Sequence, residues 1–212
     1  MSNKNLIFPV TLYHGTSSLF LDSIVKNGLG GVNPIDEWKV HEFATRIYPL
    51  IESHLSNRDD LVHSIYSYGQ MVNQKAGKSM NFQHGDTYIS ASKYTTVNYA
   101  LSNTHGSELL SYSLRFLSEL VGVNVEVVTD VIYKEFPHMF NLLELKPTPI
   151  LLEINKVNSS TLLAEDGSSA KDNISMINNI IRDYPEKYEL MLQQTNFRLN
   201  QAIPVVLISM QN

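Results

Sequence analysis

The sequence predicts an α+β fold, and three observations carry that reading. Short apolar runs that read as strands lie far apart, at about residues 10–16, 87–90, 149–154, 196–199 and 204–209. Between them stand long blocks in which apolar residues recur at three-to-four spacing, the period of a helix. The order shows no regular strand–helix–strand alternation, so a parallel doubly wound sheet is not expected. At 212 residues and 43% hydrophobic, the chain can bury one good core. One domain over 1–212 is therefore expected, with a helical insertion at about 32–76 and a further helical block at about 107–145.

The first strand runs through Val10 and Leu12 into Leu12-Tyr13-His14-Gly15-Thr16. A helix follows, with Ser17 or Ser18 as its cap and Leu21, Ile24 and Val25 as its inward face. It stops at Lys26-Asn27-Gly28-Leu29, a basic last turn before a glycine suited to the left-handed C-cap. Trp38, Phe43, Ile47, Leu50 and Ile51 mark the next helix; Leu61, Val62, Ile65, Tyr66 and Met71 mark another, with Asp59-Asp60 at its positive end. Residues 74–86 are polar and loop-like around Gly77 and Gly85. A short strand at 87–90 leads to a helix over 95–101, with Val97, Ala100 and Leu101 turned inward.

Gly106-Ser107-Glu108 opens a segment carrying Leu109, Leu110, Leu114, Leu117 and Leu120. It reads as a helix, although in places its spacing also fits a strand. Residues 123–128 are β-branched, as a strand or a loop, and 131–143 read as a helix broken at Pro137. Pro149–Ile154 is the clearest buried strand. Two short helices at 172–182 and 185–192 and two strands at 196–199 and 204–209 complete the chain.

Composition narrows the function. A formal charge of −5 argues mildly against binding nucleic acid through bulk electrostatics. Lys75, Lys78, His84 and Lys93 lie close in sequence and read as a solvated loop. The absence of cysteine excludes disulfides, thiolate chemistry and cysteine-ligated zinc. No two of the seven histidines stand at His-x-x-x-His spacing, so no metal site is expected. No run of eighteen apolar residues exists to span a bilayer. Residues 1–5 and the short apolar stretch broken by Pro9 do not read as a secretory signal, so a cytoplasmic protein without a membrane partner is expected.

The His14-Gly15-Thr16 strand end and the helix closing on Asn27-Gly28-Leu29 resemble the ADP-ribosyltransferase fold. The resemblance continues in the poly-ADP-ribose-polymerase-like branch, where a strand tyrosine is followed eight positions later by a serine and eleven later by a tyrosine. Here Tyr88 is followed by Thr96 and Tyr99. The strand at 150–154, the turn at Leu162-Leu163-Ala164-Glu165-Asp166 and the terminal Ala202-Ile203-Pro204 extend it. The resemblance implies a split mixed or antiparallel sheet with helical insertions, and NAD as substrate. It implies that His14 bonds the ribose beside adenine and Gly15 the nicotinamide amide through its backbone. Thr96 would offer that amide its hydroxyl, and Tyr88 and Tyr99 would sandwich the nicotinamide ring. Thr16 and Ser90 are counted among the NAD-contacting residues.

The chemistry suits those residue types. Two tyrosine faces hold a flat cation through stacking and cation–π attraction. A glycine lets backbone groups approach a ligand closely, and an imidazole offers both a donor and an acceptor to ribose hydroxyls. His14, Tyr88 and Asn196 are the catalytic candidates. Asn196 stands where the family places a glutamate, and also ends a Gln194-Thr195-Asn196 with the spacing of the toxin-type Gln-x-Glu. An amide keeps the acceptor and lacks the charge. Either transfer is slow, or Glu153 or Glu165 substitutes, or the domain binds NAD or ADP-ribose without turnover; a protein-interaction module of the same fold is a further alternative.

The resemblance also implies a macromolecular acceptor, protein or nucleic acid, and a toxin or effector role with an antitoxin or immunity partner. Taken singly, each residue has a plainer reading: a strand-ending turn for His14-Gly15-Thr16, a half-buried strand aromatic for Tyr88, a helix core residue for Tyr99. Arg198 reads as a solvated charge and Glu153 as exposed on the sheet's other face.

Overall fold

In the computed structural model, residues 7–74 and 85–211 are described. In chain order the elements are β1 (Leu12–Ser17), α1 (Leu21–Asn27), α2 (Pro34–Glu37), α3 (Val40–Leu55), α4 (Val62–Val72), β2 (Tyr88–Ser90) and α5 (Lys93–Ser102). Then come α6 (Glu108–Gly122), α7 (Tyr133–Glu135), α8 (Pro137–Glu144), β3 (Pro149–Ile154), β4 (Leu162–Ala164), α9 (Lys171–Asp183), α10 (Tyr188–Met191), β5 (Asn196–Leu199) and β6 (Ile208–Gln211). The fold is α+β. The chain divides into two compact units, one of residues 1–32, 86–106 and 148–212, the other of 33–85 and 107–147.

The first unit is built on a six-stranded antiparallel sheet in the order β4-β5-β2-β1-β3-β6. β1 and β3 pair along their whole length, from Leu12↔Ile154 to Ser17↔Pro149. β1 and β2 are in register only at Tyr13↔Ser90. Continuing that ladder would set His14 against Ile89 and Gly15 against Tyr88; instead the sheet opens there. One face of the sheet presents Leu12, Ile89, Leu152, Ile154 and Phe197, all buried, and Phe8 packs edge-on to Phe197 at 5.2 Å. The other face carries Tyr13, Gly15, Tyr88, Ser90, Leu151, Glu153, Asn196 and Arg198, as the register requires.

Ser17 accepts from the Leu19 N–H at 3.3 Å and caps a 3₁₀ turn that runs into α1. At the end of α1, Gly28 has φ +79°, and a Cβ there would lie 2.7 Å from the Ile203 carbonyl oxygen. Glycine is required on both counts. Leu29 and Ile203 exchange two backbone hydrogen bonds, at 3.0 and 2.8 Å. The Asn-Gly-Leu and Ala-Ile-Pro segments singled out from sequence thus meet directly.

The second unit is helical. Val40, Phe43, Ala44, Ile47, Ile51 and Leu55 of α3 are buried, as are Leu109, Leu110, Leu114, Leu117 and Leu120 of α6. That settles the 108–122 segment as a helix. Tyr68 is fully buried, with its hydroxyl 2.8 Å from Ser113 Oγ and its ring 5.1 Å from that of Phe116. Residues 128–132 form a π-helical turn, and Pro137 opens α8, where its missing N–H costs nothing.

Several expected core positions differ. Val25, Val62, Tyr66 and Leu101 are exposed, and Tyr68 and Gly69 take the inward places on α4. Asp60 pairs with Arg58 at 2.7 Å ahead of the helix instead of opening it. The last strand begins at Ile208, because residues 205–207 after Pro204 turn as a 3₁₀ helix. Lys75, Lys78 and His84 lie outside the described residues. No helix among the described residues is long and apolar enough to cross a membrane.

Candidate functional site

The opening between β1 and β2 is bridged by a side chain. His14 Nδ1 lies 2.7 Å from the backbone carbonyl oxygen of Tyr88. A carbonyl only accepts, so Nδ1 is the protonated nitrogen and Nε2 keeps its lone pair when the ring is neutral. Burial pushes the His14 pKa below its ordinary 6.5, and the bond to Tyr88 opposes this only in part. At neutral pH the imidazole is therefore an uncharged acceptor, fixed in tautomer and orientation.

Gly15 does more than the sequence suggested. A Cβ there would lie 2.5 Å from the Thr96 carbonyl oxygen and 3.1 Å from Ala100 Cβ. The missing side chain is the seat of α5 on the sheet. Thr96 is buried and its hydroxyl donates to the Ser92 carbonyl at 2.8 Å, so only its lone pairs remain for a ligand amide. Ser90 closes the β2–α5 turn: its Oγ accepts from the Ser92 N–H at 3.1 Å and donates to the Thr195 carbonyl at 3.4 Å. Both bonds serve the turn. Thr16 is fully buried, and its hydroxyl makes no hydrogen bond.

Tyr88 is half-buried on the face that α5 covers. Tyr99 sits one turn beyond Thr96, flanking the Thr96–Ala100 contact stripe, and is 40% exposed. Asn196 stands opposite Ser90 on the same face, one strand beyond β2, and is half-buried. His14 leaves β1 on the opposite side from Gly15 and reaches back to the opening through its Tyr88 bond. The register thus puts Tyr88 and Asn196 on the sheet face that carries α5, with Thr96 and Tyr99 on that helix, and puts His14 on the opposite face, bonded across the opening to the Tyr88 backbone.

A cluster beside these residues escaped the sequence reading. Lys93, the first residue of α5, pairs with Glu153 at 2.8 Å, and its ammonium lies 6.0 Å from the centre of the Tyr13 ring. The Lys93 N–H donates to Glu189 of α10 at 3.1 Å. Burial first, then Glu189, Glu153 and Tyr188, push the Tyr13 hydroxyl up to about 12. Glu153 lies on the face away from the buried Leu152 and Ile154, as expected, but is half-buried and partnered rather than exposed. The signal was present: Glu153 is the one charge in an apolar strand, and Lys93 follows the capping Ser92.

Arg198 is not a solvated charge either. It pairs with Asp86 at 2.9 Å and lies against Gly167, so its charge is already matched. Glu165 is exposed in the turn after β4. An open groove of about 600 Å³ in the helical unit, lined by residues such as Leu50, His54, Val125 and Asp130, contains none of the residues singled out from sequence. Among the described residues no group of three or more His, Asp or Glu could hold a metal ion. No protein-family model, no curated protein and no solved structure matches the chain.

Proposed function

We propose that the protein is an NAD-dependent ADP-ribosyltransferase, on a split-sheet ADP-ribosyltransferase-like core, that transfers ADP-ribose to a macromolecular acceptor. The observation that carries this reading is the locked, neutral His14 at the β1/β2 opening, with the Tyr88 backbone holding Nδ1. In this mechanism Nε2 accepts from a ribose hydroxyl and fixes the sugar. Tyr88 and Tyr99 hold the cationic nicotinamide ring by their faces. The C1′–N bond breaks, nicotinamide leaves with the bonding pair, and the acceptor nucleophile bonds C1′ and loses its proton. The protein contributes mainly position and electrostatics.

A second reading, an NAD- or ADP-ribose-binding module without turnover, is favoured by Asn196. The amide brings no charge to the sugar cation, Glu153 is tied to Lys93, and Glu165 lies in an exposed turn. Incubation with labelled NAD and cell lysate, followed by nuclease or protease digestion, tests transfer and identifies the acceptor class. Release of nicotinamide by the wild type and its loss in His14→Ala supports the transferase. NAD raising the stability by about 2.7 kcal/mol at a hundred times its dissociation constant, without turnover, selects the binding module. Neither effect would leave a protein-interaction module.

A further inference from the structure

We infer that Lys93 is a positioning residue, holding the first turn of α5 on the sheet and so fixing where Thr96 and Tyr99 stand relative to Tyr88. The inference rests on the proposed NAD site. α5 supplies two of that site's residues, and close contacts tie it to the sheet at two places. One is the Gly15 seat, where strand backbone meets helix backbone near Thr96 and Ala100. A single seat leaves the helix able to turn about its own axis.

The second place is the first turn. Lys93 reaches Glu153 of β3 at 2.8 Å and lies over Tyr13 of β1 at 6.0 Å. Its own N–H donates to Glu189 at 3.1 Å, and the Thr95 hydroxyl donates to the Gln193 carbonyl at 3.0 Å. Two strands, α10 and the segment entering β5 thus converge on the first three residues of the helix. By contrast, Leu101 and Ser102 at the far end are exposed. A side chain stands roughly 6 Å from a helix axis, so a turn of about 10° shifts the Tyr99 ring by about 1 Å. Misplacement on that scale can lower a rate by about a hundred-fold. The Lys93–Glu153 pair is half-exposed, and such pairs contribute little to stability, so its loss acts on geometry more than on folding.

The test compares Lys93→Met, Glu153→Gln and Lys93→Arg in the full chain. NAD affinity and nicotinamide release are read beside the melting temperature and amide exchange across residues 94–99. Lys93→Met and Glu153→Gln are expected to weaken NAD binding about ten-fold or more and to speed exchange, with the melting temperature little moved. Lys93→Arg, which keeps the charge, restores both. NAD binding unchanged in Lys93→Met and Glu153→Gln overturns the inference while leaving the transferase proposal intact. A wild type that does not bind NAD overturns that proposal and, with it, this role for Lys93; exchange that nonetheless responds marks a purely structural clamp.

Discussion

Replacing Gly15 by alanine tests how α5 is seated. The backbone there needs no left-handed conformation, so alanine is tolerated locally and the effect is purely steric. The new methyl carbon would lie 2.5 Å from the Thr96 carbonyl oxygen and 3.2 Å from the Ala100 nitrogen. Both are helix backbone atoms that no rotamer change can move aside. An ordinary contact needs about 1 Å more, so α5 must retreat by that amount. Overpacking of this kind costs about 1–3 kcal/mol. For a protein of this size that lowers the melting temperature by a few to about 10 °C. For the proposed transferase, NAD turnover should fall by about a hundred-fold, because Thr96 and Tyr99 move with the helix. Calorimetry and nicotinamide release read the two effects. The same change at Gly122, the open last residue of α6, should be neutral or stabilising by up to about 1 kcal/mol. A Gly15→Ala protein as stable and active as the wild type would refute the seating argument.

His14 gives a pH signature. Its folded pKa lies below the ordinary 6.5, so between those values the unfolded chain binds more protons. Stability therefore rises with pH through that window and falls as the pH drops below about 6.5. His105 shifts the same way and shares the slope, which His14→Gln should reduce in denaturant titrations across pH. Protonation of the folded ring also removes the Nε2 acceptor, so binding at the proposed NAD site should weaken only as the pH falls through the lowered folded value, at the bottom of that window. In the helical unit, Tyr68→Phe leaves the buried Ser113 hydroxyl unpartnered and should cost about 1–2 kcal/mol. Ser113→Ala in that background should recover part of it, as a urea double-mutant cycle would show. Asn196→Glu should raise nicotinamide release by about two to three decades if that position faces the ribose; an unchanged rate would remove Asn196 from the site.

Much of this layout was legible in the sequence, for identifiable reasons. β3 matches its expected bounds because a strand buried along most of its length leaves a near-continuous Ile and Leu run, and β5 matches because Phe197 and Leu199 alternate with polar residues. The inward face of α4 was misjudged because its centre is not marked by aliphatic residues. Gly69 lies under the Tyr48 hydroxyl and Tyr68 reaches Ser113, so a glycine and a tyrosine hold the core line that apolar spacing assigned to Val62 and Tyr66. For the proposed site, His14, Tyr88 and Tyr99 are named by the family resemblance. The uses of Ser90 and Thr96 were not legible, since only the fold shows that their hydroxyls serve the turn between β2 and α5. Nor did charge in sequence reveal that Lys93, Glu153 and Glu189, far apart along the chain, would meet.

The place of β1 in the sheet bears on how the protein is made. This strand leaves the ribosome before its two neighbours, which are encoded about 75 and 137 residues later. The Leu29–Ile203 exchange closes a still wider interval. During synthesis the nascent β1 must wait with open edges while helices from the intervening segments, whose contacts are local, form first. Such long-range closure makes folding slow. It also leaves an unpaired apolar strand for chaperones to shield, so expression at lower temperature should favour soluble product.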